Sequence, residues 1–398
     1  MLSEAESPVE VILGNLDDCR LESAWAPFDD RVITYLGDLS RAILATPNIR
    51  DYPDLVSLAY WCRPAAVRRL ATRYRNDEFL MGRGLIFHIP PSNVPLNFAY
   101  SLFCGLLAGN SNVLRLSSIE SDEVNLLIST MSRVPSPDVS RRMCLVRYGH
   151  NDLTTRWFSM QSSARVIWGG NETVRRIRAI EASARSVDVS FADRVSMSLL
   201  RSAVVSNLTS VGLKDLAEGF IADGYTFEQN ACSSPRVVVW DGLEAETRKA
   251  KNRFWEAVES RLQSKGTLSP AHHMRRFTEL CEHLAGHESR DHLTSITGGA
   301  ARIELMDGST WREYSGLRFG TFTEVSMGSP DHLPSLVSAD VQTLGYFGYS
   351  VAEIRDMIGR LRMAGIDRAV PIGQALNFDT VWDGYDLIRS LSRTIVII

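Results

Sequence analysis

Apolar residues recur at helical spacing near the start of the chain, where Val32, Leu36, Leu39 and Ile43 fall on one face. A second helical run is expected from Pro53 through SLAYWCR to Tyr74. From Gly84 short apolar runs alternate with helical stretches: GLIFHI, then FAYSLFCGLLAG closing at Gly109-Asn110, then NVLRL. The alternation continues with a helix from Asp122 to Val134, CLVRY, a helix from Leu153 to Met160, ARVIWG, a helix over ETVRRIRAI, and SVDVSF. Strands separated by helices predict an α/β fold with a parallel, doubly wound sheet.

After Leu200 a second αβ section begins, with a helix over LKDLAEGFIADG, a loop holding Cys232, the strand RVVVW and a charged helix from Glu244 to Gln263. A chain of 398 residues exceeds one comfortable core, so two lobes are expected, with boundaries at 1–200, 201–380 and 381–398. The tail RTIVII is a short β-branched run that would seek an edge to pair with, which predicts an oligomerisation strand and a homo-oligomer.

Composition narrows the partners. Apolar residues at 44% and charged residues at 23% are ordinary globular values. A net charge of -4 with mixed signs offers no basic stripe for nucleic acid. The start MLSEAESPVEV lacks the basic and apolar regions of a signal peptide, and no apolar run reaches membrane-spanning length, so a cytoplasmic protein is expected. Six widely spaced cysteines without a CxxC pair read as reduced thiols.

Among those cysteines Cys232 stands out, because FEQNACSSPRVVVW sets it in a polar turn of small residues just before an apolar strand. Cys62 and Cys104 lie in apolar helical runs and Cys144 begins a strand, as core residues do. A thiolate attacks a thioester and later leaves without metal or water activation. In FHIPPSNVPLNFAY, Asn93 beside Ser92 has two readings, an amide donor to an oxyanion or an ordinary helix cap. No GxGxxG follows any predicted strand, whereas WGGNETVRRIR places Gly169 and Gly170 between a strand and a helix start suited to a pyrophosphate. His283 and His287, beside Cys281 and near His292, have metal-ligand spacing, but a polar surface helix is favoured and no metal is expected. RKAKNR is read as a solvated face rather than a phosphate patch.

Taken together, YPDLVSLAYWCR, GRGLIFHIPPSNVPLNFAYSLFCGLLAGNSNVLRLSS, ARVIWGGNETVRRIR, QNACSSPRVVV, VQTLG, AGIDRAV and WDGYD resemble the bacterial long-chain fatty acyl-CoA reductases of the LuxC type, in the aldehyde dehydrogenase superfamily. The resemblance implies an aldehyde-dehydrogenase-like fold of two αβ lobes, a Rossmann-like cofactor domain after the N-terminal helices and a catalytic cysteine domain, closed by a C-terminal edge strand. By likeness Cys232 matches the acylated cysteine and Asn93 the oxyanion asparagine, while Ser92, Gly169 and Gly170 fall near the cofactor. Arg115 stands where related dehydrogenases hold the adenosine ribose with a lysine, with Ser117 and Ser118 beside it. Ser118 replaces a glutamate common in NAD-dependent members, so NADPH is expected over NADH, although an exposed arginine at a strand end would leave NADH open. Glu324 in FGTFTEV matches the glutamate that contacts the nicotinamide ribose.

One departure is chemical. Where hydrolytic members carry a water-activating glutamate, SFADR has Ser190; Asp193 is an alternative base, or the ion-pair partner of Arg194. The resemblance therefore implies NADPH-dependent reduction of an acyl-CoA or carrier-bound acyl thioester to an aldehyde, beside an acyl-activating or acyl-transferring enzyme. A hydrolytic aldehyde dehydrogenase, a cysteine-dependent acyltransferase and a non-catalytic scaffold are the competing expectations.

Overall fold

The computed structural model describes residues 9–74, 79–265, 269–285, 292–296, 299–361 and 365–397. Contacts divide the chain into two compact units, unit 1 of residues 1–192 with 378–398 and unit 2 of residues 193–377.

Unit 1 holds β1 (Glu10–Gly14), β2 (Phe79–Gly82), β3 (Leu85–Ile89), β4 (Ser111–Arg115), β5 (Met143–Arg147), β6 (Ala164–Trp168) and β7 (Val187–Phe191). Six of these form one sheet in the order β1-β5-β4-β3-β6-β7. All pairs within it are parallel except β1 with β5. Chain growth runs outward from β3 through β4 to β5, then returns to β6 on the other side of β3. That reversal is the switch point at which open α/β sheets bind ligands, beyond the carboxyl ends of the strands. Every residue of β6 is buried, as expected of a strand covered on both faces.

Local chemistry sets the connections. The helix Asn97–Leu107 ends where Gly109 adopts φ +85, a conformation that strains any side chain; a Cβ there would also lie 2.1 Å from the Trp25 carbonyl oxygen. Arg165, inside β6, donates to the Ile177 and Ile180 carbonyls at 3.0 and 2.9 Å and pairs with Asp188 of β7 at 2.7 Å. It thereby fastens the end of the helix Asn171–Ala179 to the sheet.

Unit 2 contains β8 (Val195–Arg201), β9 (Pro235–Asp241), β10 (His292–Ile296), β11 (Ala301–Glu304), β12 (Thr321–Met327), β13 (Val341–Phe347) and β14 (Arg368–Pro371), in the order β10-β11-β12-β9-β8-β13-β14. Only β10 with β11 is antiparallel. A core lies on each face: Met197, Leu199, Val237 and Val239 pack with Trp311, while Val238 and Trp240 pack with Phe220, Phe254 and Trp255.

Several expectations change. The boundary at residue 200 cuts through β8, which hydrogen-bonds to β9 and β13 and so belongs with unit 2. The segment from Pro53 to Tyr74 is interrupted at Arg63-Pro64, because proline starts a helix rather than continuing one. In RKAKNR, Arg248 and Lys249 are exposed, but Lys251 is buried against Glu304 and Arg253 donates to the Ser206 and Leu208 carbonyls. The tail follows a short hairpin of β15 (Val381–Trp382) and β16 (Tyr385–Asp386), and as β17 (Ser392–Ile395) it pairs antiparallel with β2 of its own chain. The edge that the tail was expected to find on a second copy is thus supplied within unit 1. His287 lies outside the described residues, and no described helix is long and apolar enough to cross a membrane.

Candidate active site

Burial sorts the cysteines. Cys19, Cys62, Cys104 and Cys144 are buried, and desolvation pushes all four thiols up, Cys144 to about 12, which keeps them protonated and unreactive. Cys281 is exposed and Cys232 half-buried. Cys232 sits in the turn between the helix Ser210–Tyr225 and β9, at the amino end of the parallel strands of unit 2.

That turn is held under strain. Glu228 and Gln229 both have left-handed backbones, φ +54 and +64, unfavourable for side chains of this kind. Gln229 is fully buried, and its amide fixes the conformation: Nε2 donates to the Pro235 and Thr321 carbonyls, both at 2.9 Å, and Oε1 accepts from the Gly320 N–H at 3.0 Å. The side chain thus ties the turn to the first residues of β9 and β12.

Beneath Cys232 the sheet is irregular twice. Between β8 and β9, Ser196 pairs with Pro235 and Met197 with Val237, so Arg236 is an extra residue on β9. Between β8 and β13, Val195 pairs with Val341 and Met197 with Leu344, which puts an extra residue on β13 next to Gln342. Such bulges re-aim side chains. Ser196, between the two, donates its hydroxyl to the Cys232 carbonyl at 2.7 Å and accepts from the Thr343 N–H at 3.2 Å.

Two polar side chains bear on the thiol. Gln342, 2% exposed, donates from Nε2 to Cys232 Sγ at 3.4 Å. Arg236 donates to the Ser315 carbonyl at 2.6 Å. Burial and the nearby Arg318 hold its guanidinium down to about 10, against the opposing fields of Cys232 and Asp193. Arg318 in turn donates to Asn230 Oδ1 at 3.1 Å. A cation in the field of a thiol favours the thiolate. Arg194 bonds to Asp367 and to the Val341 carbonyl.

Glu324 lies on β12 with both carboxylate oxygens bonded. It is 1% exposed; Oε1 accepts from Arg302 at 2.7 Å and Oε2 from the Trp240 indole at 2.9 Å. Lys251 lies 3.9 Å from Oε2, so the carboxylate is a counterion between Arg302 and Lys251.

The other expected residues lie in unit 1. Ser92 and Asn93 are exposed in the loop after β3. The helix that follows is capped at Leu96 without a side-chain bond, so Asn93 does not serve as its cap. Gly169 and Gly170 are accessible after β6, and Gly170 occupies the N-cap of the helix Asn171–Ala179, whose first turn has no side-chain cap. The two loops follow β3 and β6, the strands flanking the switch point. A helix start beside a switch point, with a glycine at its N-cap, fits a pyrophosphate. Arg115 ends β4 with its guanidinium over the Tyr148 ring, 4.7 Å from the centroid, donating to the Tyr148 and Gly149 carbonyls at 3.4 and 3.2 Å. Ser117 accepts from the Ile119 N–H at 3.0 Å, Ser118 is exposed, and Glu120 is turned to Arg147 at 2.8 Å. Ser190 is on β7.

The sequence singled out neither Gln229 nor Ser196, and it quoted Gln342 within VQTLG without a role. The available signal was polarity inside strands and turns otherwise made of core residues.

Comparison with known proteins gives the following matches. The family described as acyl-CoA reductase (LuxC) matches residues 48–278, more than half of the chain. A long-chain acyl-protein thioester reductase of Vibrio harveyi is 27% identical over 173 residues, 42% of this chain and 34% of that protein. One of Aliivibrio fischeri is 24% identical over 164 residues, 40% and 32%. The matched segments thus span about a third of those relatives. Among solved structures, a lactaldehyde dehydrogenase superposes with a TM-score of 0.67 at 11% identity, over 96% of this chain and 88% of that one. Aldehyde dehydrogenase 21 of Physcomitrella patens gives 0.65 at 12%, over 92% and 84%. At such identity the likeness shows the fold, which is that of the aldehyde dehydrogenases.

Proposed function

The chain belongs to the acyl-CoA reductase (LuxC) family, and on that premise we propose that it reduces an acyl thioester to an aldehyde, with NADPH as reductant and the acyl group carried on Cys232. The observation that carries the reading is the setting of Cys232, whose sulfur has an amide donor and a buried arginine in its field while four other thiols are buried.

The Cys232 thiolate attacks the thioester carbonyl, and the tetrahedral adduct collapses with loss of the donor thiolate, leaving acyl-Cys232. Asn93, assigned by likeness alone, and a backbone N–H near Cys232 stabilise the oxyanion. A nicotinamide cofactor supplies hydride to the acyl carbon when bound. Cys232 then leaves as thiolate and the aldehyde is released. Ser92, Arg115, Ser117, Ser118, Gly169 and Gly170 would hold the cofactor; the helix start at Gly170 supports the last two, and Arg115 beside Ser118 supports a 2′-phosphate. Ser190 in place of a carboxylate favours reduction over hydrolysis.

The relatives' name, acyl-protein thioester reductase, supports a protein-borne acyl donor as well as CoA, and hence an acyl-transferring partner. Cytoplasmic location and a homo-oligomer, in which the exposed Val396 and Ile397 would be covered, complete the proposal.

The test is NADPH consumption with a panel of acyl-CoA and carrier-bound thioesters, comparing wild type with Cys232→Ala. Acyl-dependent consumption that yields aldehyde and free thiol, and is lost in the variant, is the expected outcome. Thiol release without NADPH consumption would favour acyl transfer, acid formation a hydrolytic dehydrogenase, and unchanged activity in the variant would refute Cys232 as nucleophile.

A further inference from the structure

Gln342 is buried, yet it points its amide at the one sulfur to which the chemistry is assigned. Its orientation is fixed from the other end: the Thr343 hydroxyl donates to Gln342 Oε1 at 3.3 Å, which leaves Nε2, the donor, for Cys232 Sγ. Its backbone is fixed as well, since the extra residue on β13 leaves the Thr343 N–H on Ser196, the residue that also holds the Cys232 carbonyl. Donor and sulfur are thus referenced to the same hydroxyl.

We propose that Gln342 is a further catalytic residue, whose N–H···S bond stabilises the Cys232 thiolate and whose inability to accept a proton preserves acyl-Cys232 for reduction instead of hydrolysis. The proposal rests on the reading of Cys232 as nucleophile.

An amide donor to a thiol is a weak interaction; to a thiolate it is charge-assisted and much stronger, so it favours the ionised form. Arg236 acts in the same sense through its field, and Arg318 and Asp193 act on that guanidinium with opposite signs. Unlike these, Gln342 touches the sulfur. A glutamate at this position would reverse both effects. Its charge would oppose the thiolate, and its carboxylate would take a proton from water as the hydroxide adds to the acyl carbon. The C–S bond would then break to give the free acid and the Cys232 thiolate, with the proton held by the carboxylate passed to solvent.

The experiment uses the full chain. The rate of iodoacetamide alkylation at Cys232, followed by the mass of the peptide that contains it so that Cys281 is resolved, is measured against pH for wild type, Gln342→Met and Gln342→Glu. Aldehyde and acid products are measured in parallel, with Cys232→Ala as control. Gln342→Met, similar in length but no donor, is expected to raise the alkylation midpoint by about one pH unit, a tenfold loss of thiolate, and to lower kcat more than KM. Gln342→Glu is expected to raise the midpoint further and to divert product from aldehyde to acid. A residue that merely packs would change stability or rate at every pH without moving the midpoint. An unmoved midpoint in Gln342→Met overturns the proposal; if that variant does not fold, an unmoved midpoint and unchanged products in Gln342→Glu do so. Retained aldehyde formation in Cys232→Ala would instead overturn the reading on which the proposal rests.

Discussion

Replacing Gln229 by leucine removes the side chain that anchors the Cys232 turn and keeps most of its volume. Three hydrogen bonds are lost, to Pro235, Thr321 and Gly320, each between the side-chain amide and a buried backbone group. At a net of about 1 kcal/mol each, and without water to replace them, the loss is about 3 kcal/mol, a large part of a typical folding free energy. The left-handed backbone at residue 229 keeps its strain while losing the contacts that impose it, so the turn is expected to relax and Cys232 to lose register with Gln342. Glu228→Gly is the counterpart: glycine accepts φ +54 freely, and the Glu228–His272 pair at 3.5 Å is partly exposed and contributes little, so no loss of stability is expected. Urea unfolding followed by tryptophan fluorescence reads the change through the buried Trp240, Trp255 and Trp311, and hydrogen exchange of the peptides covering β9 and β12 localises it. Both should show faster exchange in Gln229→Leu, with slowed alkylation of Cys232. A destabilisation below about 1 kcal/mol with unchanged alkylation would refute the view that this glutamine holds the nucleophile in place.

Two further outcomes follow from unit 1. His88 is buried between Ser101 and Asn112, at 2.8 and 3.0 Å, and burial pushes it down from 6.5 to about 4. The unfolded chain takes up that proton first, so the stability from neutral His88 is complete above pH 6.5 and is lost as pH falls toward 4, by about 3 kcal/mol in full. Urea unfolding between pH 7 and 4.5 should therefore show a shallower pH dependence in His88→Gln; equal slopes would contradict a neutral buried imidazole. Arg115→Ala should lower kcat/KM for NADPH by about 10-fold to 100-fold, the equivalent of one charge-assisted contact, and change NADH by less than about threefold. Equal losses with both cofactors would remove the 2′-phosphate assignment.

How far the sequence disclosed this molecule depended on what each strand buries. β3 to β6 were legible because strands covered on both faces are nearly unbroken apolar runs, ARVIW being buried throughout, and the edge strand β7, VDVSF, by its alternation. β1 was missed because EVILG is a short, half-exposed edge strand that pairs antiparallel with β5, with no turn signal to join them. β8, β12 and β13 escaped because VSMSLLR, TFTEVSM and VQTLGYF carry polar residues that are nevertheless buried: Ser196, Ser198, Thr323, Glu324, Gln342 and Thr343. Periodicity treats those positions as solvent-facing. Their partners are residues distant in sequence, such as Cys232 for Ser196 and Gln342, and Arg302 and Trp240 for Glu324. The candidate nucleophile Cys232 stood out from its turn, whereas the residues bonded to it became visible only when the sheet brought them together.

The groups that position Cys232 have one property in common: Gln229, Ser196 and Gln342 hold the turn, the carbonyl and the sulfur, and none of them titrates near neutral pH. Charge enters through Arg236, on which Arg318 and Asp193 act with opposite signs. A site organised by neutral dipoles keeps its geometry across the pH range in which the thiol ionises, so its pH response follows the sulfur itself and not its supports. The same neutrality bears on the fate of the acyl group. Water needs a base to attack a thioester at a useful rate, while a thiol donor, or a hydride, does not. On the proposed reading, the two amides and the hydroxyl allow acyl transfer onto Cys232 and its reductive release, and none of these three side chains is a base near neutral pH.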